Sequence, residues 1–277
     1  MDAPLQLAVG GHHIELDIAG DGRAVHWRFD GEELLGGPSS DPVEHGMYAM
    51  GPWAGRLDAN TVRVGDDAVV MAPTYREWAL HGTVVGARCR VIDHVQGDAH
   101  AIAVTEVDLG PSWPWPGMLR SHWRLDAEHL RTTLELIALE EPFPGVVGWH
   151  PWFRRELRGA PAAWAVDDAL LAERADDYRL TGRLVPVDRD PGTFDDAFRG
   201  RGTASLTWPG VLGIEIESSA PWFVVFDMLP GFLCVEPQSG PPNGVNDGLG
   251  APIGWSRPGQ PLVLDTTWRI RRAPQPG

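Results

Sequence analysis

The chain has 277 residues, 43% of them hydrophobic and 22% charged, and no apolar run reaches the roughly 18 residues that a membrane-spanning helix needs. Acidic residues number 38 against 23 basic ones, a formal net charge of −15 that repels a phosphate backbone and an anionic bilayer, so neither nucleic acid nor membrane is an expected partner. All 23 basic residues are Arg, and without a lysine amine there is no Schiff-base aldolase, no lysine-anchored pyridoxal phosphate and no Walker-type phosphate loop.

Along the chain, residues 1–20 include acidic and polar residues where a secretory leader needs a basic start and an apolar core, so the expected compartment is the cytoplasm. Short alternating runs follow at 12–18 and 24–29, and 61–64 and 68–71 flank Gly65-Asp66-Asp67 as a hairpin would. Further runs lie at 88–95, 101–106 and 130–138. In the last, Leu130, Thr132, Leu134, Leu136 and Ala138 share one face while Arg131, Thr133 and Glu135 take the other, as in a half-buried strand. The segment 160–179 is rich in Ala, Leu, Asp and Glu, passes as a helix on propensity but holds no clean apolar stripe, and is read as helix or irregular. Alternation returns at 212–217, 223–226 and 262–270. Gly (33) and Pro (25) are scattered between these runs as turn formers, which makes the fold class all-β. No linker, low-complexity tract or repeat divides the chain, so 1–277 is read as one domain.

Two cysteines, Cys89 and Cys234, without a CxxC pair suit packing rather than a disulfide framework. HExxH, GxSxG and the dinucleotide-binding glycine fingerprint are missing, and the ten His residues show no metal-ligand spacing, so neither metal nor cofactor is expected. What remains are ionisable groups in turn-rich, aromatic-rich settings: Gly51-Pro52-Trp53-Ala54-Gly55-Arg56, Leu80-His81-Gly82, Gly148-Trp149-His150-Pro151-Trp152-Phe153 and Val235-Glu236-Pro237-Gln238. Each has a plain structural explanation as well. His81 before Gly serves as a turn cap, His150 as a core histidine satisfied by a carbonyl, and Glu236 as half of an ion pair with Arg56. Even so, a carboxylate directly after Phe232-Leu233-Cys234-Val235 needs a partner or a task. Trp53, Trp113, Trp115 and Trp152 stand beside Gly and Pro, where a ring can wall a cleft.

Taken in order, these segments resemble the aldose 1-epimerase (galactose mutarotase) family. The resemblance runs from about Glu44 to the C-terminus and adds the Trp113 to Gly117 loop and Asp-x-x-Phe at Asp195 to Phe198. It implies a large twisted antiparallel β-sandwich and a small-molecule sugar as partner. It also implies roles: Glu236 as general base on the anomeric hydroxyl, His150 as general acid on the ring oxygen, His81 and Arg56 as hydrogen-bonding groups near the reacting centre, and Asp195 on a ring hydroxyl, with Asp196 and Asp227 as alternatives. Trp53 or Trp152 would offer the aromatic wall. Trp152 stands where relatives commonly carry Tyr, which points to a different sugar.

The implied chemistry suits these residue types. Opening and reclosing a hemiacetal needs two coordinated proton transfers, and a carboxylate is ionised at neutral pH while a histidine can be held protonated by neighbouring carboxylates. Rate would then fall on both sides of an optimum. Two rivals share the fold: a hexose-6-phosphate 1-epimerase, with Arg154-Arg155 or Arg76 clamping phosphate, and a non-catalytic carbohydrate-binding module.

Overall fold

The structure, a computed structural model, describes residues 3–273. Among these residues the strands build a 12-stranded and an 8-stranded sheet, with three two-stranded ribbons beside them. The larger sheet runs from Leu5–Val9 through Ala24–Phe29, Met47–Met50, Gly148–Pro151, Phe232–Gln238, Trp222–Phe226 and Asp195–Arg199 to the hairpin formed by Leu170–Arg174 and Leu180–Val185. The smaller runs from Ala163–Val166 through Thr203–Trp208, Leu212–Ser218, Leu262–Arg272, His129–Ala138, Gly117–Leu125 and Ala101–Asp108 to Arg90–Gln96. Strands pair antiparallel throughout both sheets, as in the registers of 148–151 on 47–50 and 129–136 on 262–269.

Aromatic side chains join the sheets. Trp123 of the smaller sheet meets Trp149 of the larger edge-on at 4.7 Å, and Trp268 meets Trp27 edge-on at 6.1 Å. All four are fully buried, so a β-sandwich closes over one apolar layer. Leu130, Thr132, Leu134, Leu136 and Ala138 all lie in that layer, and Arg131 faces solvent.

Strand alternation then decides what sits on the opposite face of the larger sheet. Trp149 enters the core, so alternation turns His150 the other way; Leu233 and Val235 alternate with Cys234, Glu236 and Gln238, which share the other face, where Cys234 is itself packed among apolar side chains. The register Gly148 to Gln238 continues to place His150 across from Glu236.

The segment 160–179 corrects the helix-or-irregular expectation. It forms Ala160–Pro161, Ala163–Val166 and Leu170–Arg174, the second paired with Thr203–Trp208 and the third with Asp195–Arg199. Trp164 and Val166 turn inward while Ala163 and Ala165 stay exposed, so pairing and burial override the helical propensity of Ala and Leu. The hairpin at 61–71 is present with its second arm one residue earlier, Asp67–Val70. No helix among the described residues is long and apolar enough to cross a membrane.

A backbone strap crosses the outer face of the larger sheet. Gly51 bridges Gly82, Arg56 bridges Leu80, and the His81 and Thr83 N–H groups donate to Gly55 O and Gly51 O at 3.0 and 2.9 Å. His81 sits at φ +60° and Gly82 at +84°, and a Cβ on Gly82 would lie 1.9 Å from Gly51 O. That contact is backbone against backbone and has no side chain to yield, which explains the glycine after His81. Gly82→Ala is expected to destabilise the protein by roughly 3 kcal/mol, read as a lowered urea midpoint.

Far from the strap, His12 is buried with Nδ1 accepting from Trp27 Nε1–H at 3.3 Å, and its Nε2 has no hydrogen-bond partner among the described residues. Burial pushes its pKa down to about 4, against the raising pull of Asp126 and Asp30. The unfolded chain therefore takes up a proton below about pH 6.5 that the folded chain refuses until about pH 4, and stability falls as pH drops through that window. His12→Gln should flatten the slope of unfolding free energy between pH 6.5 and 4 by about 1.4 kcal/mol per pH unit, measured by denaturant titration at several pH values.

Candidate functional site

The outer face of the larger sheet carries a cavity of about 310 Å³, with the strap along one side and the 170–185 hairpin along another. Glu236 and His150 lie on its floor. His150 Nε2 is 3.1 Å from Glu236 Oε1, and Gln238 Nε2 donates to Glu236 Oε2 at 3.0 Å. His150 is 5% exposed and Glu236 2%, so both reach solvent only through the cavity.

Aromatic rings fix the imidazole. Tyr48 stacks on His150 at 4.7 Å with planes 15° apart, and Trp152 tilts against it at 5.3 Å. Both rings are tied to one acceptor: Tyr48 Oη–H and Trp152 Nε1–H donate to Val43 O at 2.9 and 3.0 Å. The His81 ring meets His150 edge-on at 5.0 Å. His81 Nδ1 accepts the Gly55 N–H at 3.2 Å, so in the neutral ring its Nε2 carries the proton as a donor.

Arg56 and Asp195 face each other across the cavity wall. Arg56 Nη2 donates to Asp195 Oδ2 at 3.1 Å, and its guanidinium lies 4.0 Å over the Tyr178 ring. Its Nε, buried, has no hydrogen-bond partner among the described residues. Asp196 also lines the cavity, but its carboxylate is held by Arg174 Nε at 2.6 Å and by Arg189. Asp227 lies outside the lining: its carboxylate accepts from Gly192 N, Phe194 N and Trp164 Nε1, which makes it a loop clamp.

Burial sets the proton balance on the floor. It pushes Glu236 well above the ordinary carboxylate range, with Asp195 adding and the Gln238 hydrogen bond and Arg56 opposing. It pushes His150 down to about 3 and His81 well below an ordinary histidine. Loss of water dominates at His150, with Arg23 adding to it, and works against the expectation that neighbouring carboxylates hold this ring protonated. Both shifts disfavour the charged form of each group, carboxylate and imidazolium alike.

Glu236, His150, His81, Arg56, Asp195 and Trp152 thus line one cavity. Trp53 does not. Its ring is 1% exposed, its Nε1–H donates to Ala79 O at 3.1 Å, and it packs on Trp113 at 5.9 Å, so the strap turns it into the core. Trp113 is likewise buried, and Trp115 packs on Phe143. Arg154 and Arg155 are spent on the carbonyls of Leu35, Leu229 and Asp227, whereas Arg76 lines the cavity mouth with its guanidinium over Tyr75. Several lining residues escaped the sequence reading, Gln238, Tyr178 and Arg174 among them. Gln238 was legible as the i+2 neighbour of Glu236 on a strand. Tyr178 and Arg174 belong to the segment whose alternation was obscured by helix formers.

A model of the aldose 1-epimerase family matches residues 22–199. No sequence among the curated proteins matches. Among solved structures, a galactose mutarotase-like protein from Clostridium acetobutylicum superposes with a TM-score of 0.84 at 14% identity, over 97% of this chain and 95% of the other. An aldose epimerase homologue from C. elegans gives 0.81 at 14% identity, over 99% and 100%. A galactose 1-epimerase from Lactobacillus acidophilus gives 0.69 at 15% identity, over 96% and 92%. The structural likeness shows a shared galactose mutarotase-like fold, and the family match, covering well over half the sequence, shows that the chain belongs to the aldose 1-epimerase family.

Proposed function

We propose that the protein interconverts the α and β anomers of a free aldohexose. The observation that carries this reading is the 3.1 Å approach of His150 Nε2 to Glu236 Oε1 on the floor of a cavity large enough for a pyranose. Glu236 takes the proton of the anomeric hydroxyl, the bond from C1 to the ring oxygen breaks as C1 becomes an aldehyde, and His150 gives a proton to the departing ring oxygen. Rotation about the C1–C2 bond and reversal of both transfers close the other anomer.

The proton balance helps both transfers. A carboxylate raised by burial is a stronger base than one in water, and an imidazolium lowered by burial is a stronger acid. Ring opening converts an ionic pair into the neutral pair that the dry floor favours. One proton crossing the short contact interconverts the two before the sugar enters. His81 Nε2–H and Arg56 supply hydrogen bonds near the anomeric centre, Asp195 accepts from a ring hydroxyl, and the Trp152 ring offers its face to the apolar side of the sugar. The two cysteines are free and buried, as a reducing compartment permits, and a cytoplasmic placement is part of this proposal.

A phosphorylated hexose is the second reading, resting on Arg76 at the cavity mouth. A preference for glucose 6-phosphate over glucose that fades with added salt would favour it. A binding module without catalysis has no use for the His150–Glu236 contact.

Purified protein is expected to accelerate the optical-rotation change of freshly dissolved α-D-galactose or α-D-glucose. Glu236→Gln and His150→Gln should each lose roughly 10²- to 10⁴-fold in kcat/KM while keeping the wild-type unfolding midpoint within a few degrees. Wild-type turnover in either variant removes the assigned pair. With His150 pushed down to about 3, kcat/KM should show no fall centred on an ordinary histidine's range as acid is added. A sigmoid fall centred near 6.5 would instead mark an ordinary, solvated histidine as the acid.

A further inference from the structure

Beneath the proposed reaction centre lies a third group that the mechanism does not use. Cys234 is two residues before Glu236 on the same strand and shares its face, and it is fully buried. One donor atom from each of His150, Cys234 and Glu236 falls within 4.8 Å of the others. His150 Nδ1, buried, has no hydrogen-bond partner among the described residues. Trp152 packs against both His150 and Phe226, Phe226 is the cross-strand neighbour of Cys234, and His150, Trp152, Phe226 and Glu236 line the cavity whereas Cys234 itself does not.

We propose that His150, Cys234 and Glu236 form a binding site for a borderline-soft divalent cation, zinc(II) above all, and that the bound ion shuts the active centre. Imidazole, thiolate and carboxylate are the donors zinc takes in four-coordinate sites. With zinc–donor distances of about 2.0–2.3 Å, the edges of a tetrahedral shell are about 3.3–3.6 Å for this donor set, so modest side-chain rotation closes the triangle and leaves one position for water. Charge favours it as well. A dication with one thiolate and one carboxylate is neutral overall, which suits a floor where a lone charge is costly. On binding, the Cys234 thiol proton and the proton held between His150 and Glu236 pass to solvent while nitrogen, sulfur and oxygen donate their lone pairs; nothing is oxidised or reduced. Chain spacing hides this set, because His150 comes from a different strand than Cys234 and Glu236.

The site stands on geometry alone, while the inhibition rests on the proposed epimerase activity. The test uses the full-length protein with cobalt(II) as a spectroscopic substitute for zinc. Cobalt is expected to raise a near-ultraviolet sulfur-to-metal charge-transfer band that zinc abolishes by competition, that Cys89→Ala retains and that Cys234→Ala and Cys234→Ser both lose. Free galactose should weaken cobalt binding. In polarimetry, zinc should inhibit the wild type, and the inhibiting concentration should rise at least about tenfold in Cys234→Ala. No band in the wild type, or a band that survives in both folded Cys234 variants, overturns the site. A Cys234-dependent band in a protein that does not accelerate mutarotation upholds the site and sinks the epimerase reading instead. Equal zinc inhibition of wild type and Cys234→Ala removes the shut-off.

Discussion

A carboxylate and an imidazole kept from water in contact with each other constrain everything around them. Neither Glu236 nor His150 can hold a lone charge without a penalty of several kcal/mol, so their surroundings must fix both groups without solvating them. That is the service of the neighbours. Gln238 donates to the far oxygen of Glu236, Tyr48 and Trp152 bracket His150 with ring faces, and His81 closes the remaining side edge-on.

The larger sheet supplies the placement through the pleat. Each strand that contributes to the floor also contributes to the sandwich interior: Trp149 anchors the strand bearing His150, and Leu233 and Val235 anchor the one bearing Glu236. Displacing either floor group means sliding a strand by an even number of residues against tightly interlocked indoles, since an odd slip sends the group into the apolar layer. The strap adds what the sheet cannot. It carries His81 and Arg56 over the edge and is held by backbone contacts too close for any residue larger than glycine at position 82.

The strand pattern was legible because alternation writes burial directly into residue order. The runs at 24–29 and 130–138 fall within a residue of the observed strands, and the deviation at 160–179 arises where Ala, Leu and Glu carry helical propensity but the inward positions are set by pairing with Thr203–Trp208. The lining was legible at Glu236, His150, His81, Arg56, Asp195 and Trp152 because polar groups recur there beside glycine, proline and indole. Trp53 shows the limit of that signal. Its neighbours mark a turn, but the turn aims the ring inward, and only the Ala79 carbonyl and Trp113 determine that direction. The burial of His150 was equally hidden, since the bracketing Tyr48 lies about a hundred positions away in the chain and the carbonyl that holds both brackets belongs to Val43.

The arginines around the cavity, Arg56, Arg76 and Arg174, have no lysine among them, nor does the rest of the chain. In the proposed reaction a sugar opened at this floor would expose a free carbonyl for the lifetime of one bond rotation, and side-chain amines are the groups that capture such carbonyls as imines. Guanidinium supplies the same positive charge in a planar, far less nucleophilic form. On that proposal, an open-chain aldehyde would form at close range without labelling the protein's own side chains.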